Sequence, residues 1–325
     1  MKAFDISKSL LVSFSPFEGR CFFLSFENYE DDLKSELNLN KKCKIIKTMG
    51  RLFLVEGWIR PALWAQSHWL HPEVTNIASI GEAAKFLKST FPRWSLFSVD
   101  AHRRSQLIWE KLPRVTSPQI EFLQDWNRKD HGAWTLEDSN TLWYSTHVIP
   151  ALPIGEFNFK EDKVNPPSRA YNKLWELFTL HGYRPNKGEK VLDMGSCPGG
   201  WTWVLQGVGC QVISVDKAPI DPKIESLPRV RYLKRDAFAL DPKDVGPIDC
   251  FFSDIICYPE KLLELVQKWR LSGFCHRFVC TIKFRGKTDF ETLQKFADIP
   301  SSKLIHLSVN KHEVTWICGF DNKEN

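Results

Sequence analysis

Three aspartates in the second half of the 325-residue chain each end an apolar, strand-like run. They are Asp193 in KVLDMG, Asp216 in CQVISVD and Asp236 in VRYLKRDAF. After the first lies the turn Asp193-Met194-Gly195-Ser196-Cys197-Pro198-Gly199-Gly200-Trp201, which leads from a strand into a helix. Such a layout takes an adenosine-containing cofactor. Dinucleotide folds need G-x-G-x-x-G there, so that a pyrophosphate reaches the helix N-terminus. Here Cys197 fills the middle glycine position, and Pro198 removes a backbone donor. An acid before the first glycine also repels phosphate but suits a cation. The turn therefore predicts S-adenosylmethionine. Asp193 is expected to face its methionine end, Asp216 to accept from ribose hydroxyls, and Asp236 to accept from the adenine amino group. Singly, each acid reads equally well as a helix cap or turn residue; three at successive strand ends point to a cofactor site.

Methyl transfer from a sulfonium to a ribose oxygen is an in-line displacement that needs help in removing the hydroxyl proton. A lysine that is deprotonated through burial or neighbouring positive charge can take that proton, and carboxylates can orient the network. Lys173, Asp254 in FFSDI, Lys283 in CTIKF and Glu313 in KHEVTW supply such groups. In this order the sequence resembles the FtsJ-like family of RNA 2′-O-ribose methyltransferases, whose tetrad runs Lys-Asp-Lys-Glu. PPSRAYNKLWE is similar to the helix that opens the family's tetrad, and LDMGSCPGGWT to its cofactor motif. SVDKAPI, WRLSGFCHRFVCTIKF and HEVTW resemble the family's bacterial M-type branch, which acts on a cytidine of large-subunit rRNA. The resemblance covers about residues 150 to 320. It implies that Lys283 is the general base, that Asp254 and Lys173 tune it, and that Glu313 completes the network. It also makes Asp254 a neighbour of the cofactor. Taken alone, each lysine reads as a solvated surface charge. That reading is weaker for Lys283, which ends an apolar strand where open α/β sheets place their sites.

Strands and helices alternate from residue 166 onward: RAYNKLWELFTLHGY with Leu174, Leu177 and Phe178 on one helical face, then KVLDMG, GGWTWVLQGVG, CQVISVD, VRYLKRDAF, IDCFFSDI, PEKLLELVQKWRLSG and RFVCTIKF. The end, KLIHLSVNKHEVTWICGF, reads as a hairpin around Asn310 and Lys311. The pattern predicts an α/β, Rossmann-like class I methyltransferase domain, its sheet mostly parallel with an antiparallel last strand. A smaller α+β region over residues 1–150 precedes it, and 151–165, rich in proline and charge, reads as a linker. In that first region SLLVSFSPF, CFFLSF, KIIKTMGRLFLVEGW and WSLFSVDAHR read as strands, and GEAAKFLKST and SPQIEFLQDWNRK as helices. The M-type branch carries a ferredoxin-like and a THUMP RNA-binding domain here. LFLVEGWIRPALWAQSHWL and SLFSVDAHRRSQL look similar to fragments of them, so the resemblance implies RNA recognition.

The chain carries 44 lysines and arginines against 39 acids, a net +5 that tolerates a polyanionic partner. Two readings stand for Arg60, Arg93, His102, Arg103, Arg104 and Arg114: phosphate contacts or a solvated face. The dense tryptophans of the first region (Trp58, Trp64, Trp69, Trp94, Trp109, Trp126, Trp134 and Trp143) read as core before base-stacking platforms. Nine cysteines without a CxxC pair predict reduced thiols and no metal site, with Cys197, Cys210, Cys250, Cys280 and Cys318 buried. No run reaches the roughly 20 apolar residues of a membrane span, and the first residues lack a signal peptide's pattern. A cytoplasmic enzyme acting on RNA, most simply large-subunit rRNA, is expected. Its rivals are an enzyme acting on tRNA or an mRNA cap, and a non-catalytic RNA-binding or assembly factor on the same fold.

Overall fold

Cys43–Met49 alternates half-buried and exposed side chains, as an antiparallel strand with one wet face does. It belongs to the first of two units in the computed structural model, which describes Ile6 and residues 14–113, 115–125 and 129–320. One unit takes the described residues from 14 to 160, and the other takes those from 161 together with Ile6. The first opens with β1 (Phe17–Ser25), α1 (Glu30–Leu39), β2 (Cys43–Met49), β3 (Leu52–Ile59) and β4 (Ala65–Leu70). These strands pair antiparallel in the order β4-β1-β3-β2. That is the 4-1-3-2 order of a ferredoxin-like sheet, with the short connection from Ile59 to Ala65 in place of a second helix. Buried Glu36 of α1 secures this connection by accepting from the N–H groups of Leu63 (2.8 Å) and Trp64 (3.0 Å).

The unit continues with β5 (Glu73–Asn76), α2 (Ile80–Thr90), β6 (Trp94–Leu96), α3 (His102–Trp109), β7 (Gln119–Ile120), β8 (Gly132–Leu136), β9 (Thr141–Ser145), β10 (His147–Ile149) and β11 (Asn158–Phe159). β10 extends the first sheet beside β4, and β5-β9-β8-β6 forms a second. Ser79 caps α2 by accepting from the Glu82 N–H, while Glu82 Oε2 accepts from the Ala78 N–H. Trp94 and Trp134 fill the core of this sheet with Leu87 and Ile108. Trp64, Trp69 and Trp143 are buried too, whereas Trp58 is exposed.

Three stretches depart from the sequence reading. SPQIEFLQDWNRK is not a helix over its described residues: Gln119–Ile120 pairs parallel with Asn158–Phe159, and Leu123 takes φ 60°. Pairing that buries Ile120 overrides the local helical pattern. The supposed linker supplies the other half of that pair, so residues 151–160 pack within the first unit. WSLFSVDAHR is strand only to Leu96, and α3 starts at His102. The beginning of SLLVSFSPF, Trp126 and Arg114 lie outside the described residues.

The second unit contains α4 (Tyr171–Leu180), β12 (Lys190–Met194), α5 (Gly200–Gly207), β13 (Gln211–Asp216), α6 (Pro222–Glu225), β14 (Val230–Lys234), α7 (Pro242–Val245), β15 (Cys250–Ser253), α8 (Pro259–Leu271), β16 (Arg277–Lys283), α9 (Phe290–Ala297), β17 (Ser302–Ile305) and β18 (Glu313–Cys318). The sheet order is β14-β13-β12-β15-β16-β18-β17. The first five strands are mutually parallel, and β18 runs antiparallel to both of its neighbours. This is the Rossmann-like methyltransferase arrangement that the alternation of elements predicts. Chain direction along the sheet reverses between β12 and β15, and open α/β sheets bind ligands outside the carboxyl ends of strands at such a switch point. Strands covered on both faces read as continuous apolar runs; Val191, Leu192, Phe251, Phe252, Phe278 and Val279 are all buried. α4 differs from a one-faced helix: every side chain from Tyr171 to Phe178 is buried, Lys173 and Glu176 included. Buried charges need partners, and those partners define the site.

Candidate active site

Lys173, on the enclosed face of α4, places Nζ 2.9 Å from Asp254 Oδ1 and 2.7 Å from Glu313 Oε1. Asp254 follows β15, and its Oδ1 is also 3.0 Å from Lys283 Nζ. Lys283 ends β16 and donates to the Asp254 carbonyl at 2.7 Å. Glu313 starts β18 as the register partner of Lys283. Antiparallel β18 is thus what returns the fourth residue to the strand ends where the other two sheet residues sit. Four residues separated by up to 140 positions form one network. Two carboxylates balance two ammonium groups. Burial opposes the charge on Lys173, but Asp254 and Glu313 outweigh it and raise its pKa above the ordinary lysine value. Burial likewise opposes the charge of Asp254, and Lys173 and Lys283 overcome it, holding this carboxyl below its usual range. The lysines differ in access: the Lys283 side chain is 20% exposed and that of Lys173 9%.

Asp193 lies at the end of β12 and is 1% exposed. Its Oδ2 accepts from Thr202 Oγ1 at 2.6 Å, while its Oδ1 is buried without a hydrogen-bond partner. Burial pushes the carboxyl up to about 7; the Thr202 bond opposes this, and the charges of Asp254 and Asp216 add to it. An unpaired buried carboxylate oxygen, with two further carboxylates close enough to perturb it, fits a group that brings a positive charge. The turn is also packed closely against its own chain, which its glycines permit. Gly195 has φ 76°, and a Cβ there would come within 2.5 Å of Ile255 Cγ1. Gly199 has φ 113°, and a Cβ on Gly200 would meet Ser168 Oγ at 2.6 Å. Ser196 Oγ is buried and unpaired. Pro198 and Cys197 are exposed; for Cys197 this corrects the expectation of a buried thiol, because its turn leaves the sheet. The other four cysteines expected to be buried are so, and all nine are unpaired thiols. Asp216 accepts from the N–H groups of Cys197 and Ala218, each at 2.9 Å, and so ties the turn to β13. Asp236 is paired with Lys217 (2.8 Å) and accepts from the Phe238 N–H. Trp201 is buried and donates to the Ala170 carbonyl, which anchors the start of α4 beneath the turn. Among the described residues no cluster of three His, Cys, Asp or Glu side chains is placed to hold a metal.

Residues 166–295, from the approach to α4 through most of α9, match the FtsJ-like methyltransferase family. Over this segment the chain is similar to FtsJ-like methyltransferases. Among similar curated proteins, the ribosomal RNA large subunit methyltransferase M of Thauera aminoaromatica is 28% identical over 46% of this chain and 45% of its own. The protein of that name from Alkalilimnicola ehrlichii is 34% identical over 36% of this chain and 34% of its own. That of Chromohalobacter salexigens is 24% identical over 78% of this chain and 65% of its own. The chain spans less than half the length of the first of these relatives.

Two residues of the second unit, Thr202 at the end of LDMGSCPGGWT and Glu176 at the end of PPSRAYNKLWE, have no role in the sequence reading yet support the site. Thr202 holds Asp193; its signal is the hydroxyl one turn into a helix whose preceding strand ends in an acid. Glu176, three residues after Lys173, accepts from Ser308 N through both carboxylate oxygens (3.0 Å each) and from Ser308 Oγ (2.6 Å). It thereby ties α4 to the β17–β18 loop that ends at Glu313. Its signals in the sequence are its place in PPSRAYNKLWE and the helical spacing to Lys173.

Proposed function

We propose that this chain transfers a methyl group from S-adenosylmethionine to a ribose 2′-hydroxyl of RNA, its target a cytidine of large-subunit rRNA. The observation that carries this reading is the joined Lys173–Asp254–Lys283–Glu313 network beside a turn with an unpaired buried carboxylate oxygen. Asp193, the Gly195–Gly200 turn, Asp216 and Asp236 would hold the cofactor, with Asp193 taking its ammonium end. The cofactor supplies an electrophilic methyl on a cationic sulfur. The protein's task is then to present a hydroxyl and accept its proton. Lys173, bridged by two carboxylates, stays protonated and acts as a fixed cation that keeps Asp254 ionised. Lys283 is the more open group at the strand end; it first releases a proton to solvent and then, as the amine, takes the proton from the 2′-hydroxyl. Glu313 shares Lys173 with Asp254, and Asp254 in turn orients Lys283. The names of the curated relatives support the rRNA target; the reading takes the enzyme to be cytoplasmic and the unit over 14–160 to be its RNA-recognition part.

Two measurements test this. Mapping 2′-O-methyl positions in rRNA from cells with and without the protein should show one cytidine lost, and an unchanged map would reject the target. Single-turnover transfer should be abolished by Lys283→Ala and also by Lys283→Arg, since a guanidinium stays protonated. Near-normal transfer by Lys283→Arg would show that the residue positions the ribose and does not take its proton.

A further inference from the structure

The loops that follow Asp254 and Lys283 leave neighbouring parallel strands, and each carries residues that the tetrad does not use. After Asp254, Ile255 packs against Gly195. Ile256 is 75% exposed and Tyr258 55% exposed, before buried Pro259 starts α8. After Lys283, Phe284 is buried, and Arg285, Gly286 and Lys287 are exposed. The two loops meet where the Arg285 guanidinium stacks over the Tyr258 ring, 5.1 Å from its centroid. A catalytic aspartate and a catalytic lysine thus each lead, within four residues, into one shared apolar and cationic surface.

Large apolar side chains left in water, rimmed by charge, mark a binding surface. An aromatic ring backed by arginine offers what an unpaired nucleobase takes: a stacking face, with positive charge beside it for the adjoining phosphate. Single-stranded RNA is read through bases splayed onto such faces. We propose that Ile256 and Tyr258, with Arg285 stacked on the tyrosine, form the platform that receives the base of the nucleotide whose ribose is presented to Lys283. Lys287 supplies charge for its phosphate. This rests on the reading of the chain as an RNA 2′-O-methyltransferase and adds where the substrate base sits.

The test measures single-turnover methyl transfer against concentration of large-subunit rRNA purified from cells lacking the protein, with S-adenosylhomocysteine affinity measured in parallel by calorimetry. Tyr258→Ala should raise the half-saturating RNA concentration about tenfold or more, as loss of one base–aromatic stack does. Ile256→Ser should raise it less, and Tyr258→Phe should restore it, because the ring and not the hydroxyl is needed. S-adenosylhomocysteine affinity should not move in any of the three. A half-saturation unchanged in Tyr258→Ala overturns the platform alone. A parallel loss of S-adenosylhomocysteine affinity also overturns it, since the loop would then be shaping the cofactor site. A wild-type protein that methylates no RNA rejects the proposed function and the platform with it.

Discussion

Asp193 is buried with one oxygen bonded to Thr202 and the other unpaired. Its carboxyl, pushed up to about 7, is protonated in acid and ionised in mild alkali. A ligand ammonium binds the ionised form, so below pH 7 binding must first displace a proton. The dissociation constant of S-adenosylhomocysteine should therefore rise about tenfold per pH unit on the acid side and level off above the carboxyl's pKa. Asp193→Asn should bind more weakly and lose this dependence. Calorimetry between about pH 5.5 and 8 reads both, and a flat wild-type profile would separate Asp193 from the ammonium. Four dispersed charges and the acids at strand ends were legible in the sequence as a set, whereas Thr202 and Glu176, which support them, were not read as part of it. The sequence did not carry the pairing of the charges. That Lys173 spends its charge on two carboxylates, and that Cys197 lies open, depends on where the chain folds back.

Among elements, α4 matters beyond the lysine it contributes. Glu176 and Ser308 join it to the loop between β17 and β18, and that loop delivers Glu313. Glu176→Gln keeps one acceptor and sets an amide against the Ser308 donors; with a buried group left mispaired, it should cost about 1–3 kcal/mol. Ser308→Ala should cost about 1 kcal/mol. In a domain of this size each kcal/mol lowers the melting temperature by about 2–4 °C. Both variants should slow methyl transfer while sparing S-adenosylhomocysteine affinity, because the loop reaches Glu313 and not the Asp193 turn. The sign with pH is also determined. Burial holds the Glu176 proton more tightly in the folded chain, to about 7 against an ordinary 4.5. The stability it contributes is full below the lower value and fades as pH rises through the upper. Glu176→Gln cannot titrate and should lose that fade; thermal melts across this window decide it. Helix α9, carried by FETLQKFA, spaces Phe290, Leu293 and Phe296 on one face behind the Asp289 cap and was legible, though the sequence reading passed over it; α6 and α7, four residues each, are too short to show an apolar repeat. SPQIEFLQDWNRK erred the other way, since a helical pattern gave way to strand pairing with a segment some 40 residues on.

In the whole molecule, the alternating, doubly covered strands of the second unit made its architecture legible, because a parallel sheet imposes a pattern on every strand. The first unit's strands, mostly antiparallel and in part wet on one face, impose a less continuous pattern, and its boundary at residue 160 was hidden by a proline-rich stretch that packs after all. RNA recognition by this unit would rest on charge. Lys85 and Lys88 of α2 and Lys111 beyond α3 are exposed and line one groove with Gly81, Ala84 and Ser89. Of the basic residues the sequence suggested, Arg93 is engaged with the Asp130 carbonyl and His102 with Ser98. Phosphate contacts release counterions, so affinity for RNA should fall linearly on a log–log plot against salt. Replacing Lys85, Lys88 and Lys111 together by glutamine removes three such contacts if all are made, and should flatten that slope by about two units. The loss should be uniform across RNA sequences, because phosphates carry no base identity. Methyl transfer at saturating RNA should persist, since the tetrad lies in the other unit. Filter binding at several salt concentrations gives the slope. A slope equal to that of the wild type would move the RNA path off this groove, whatever the change in affinity.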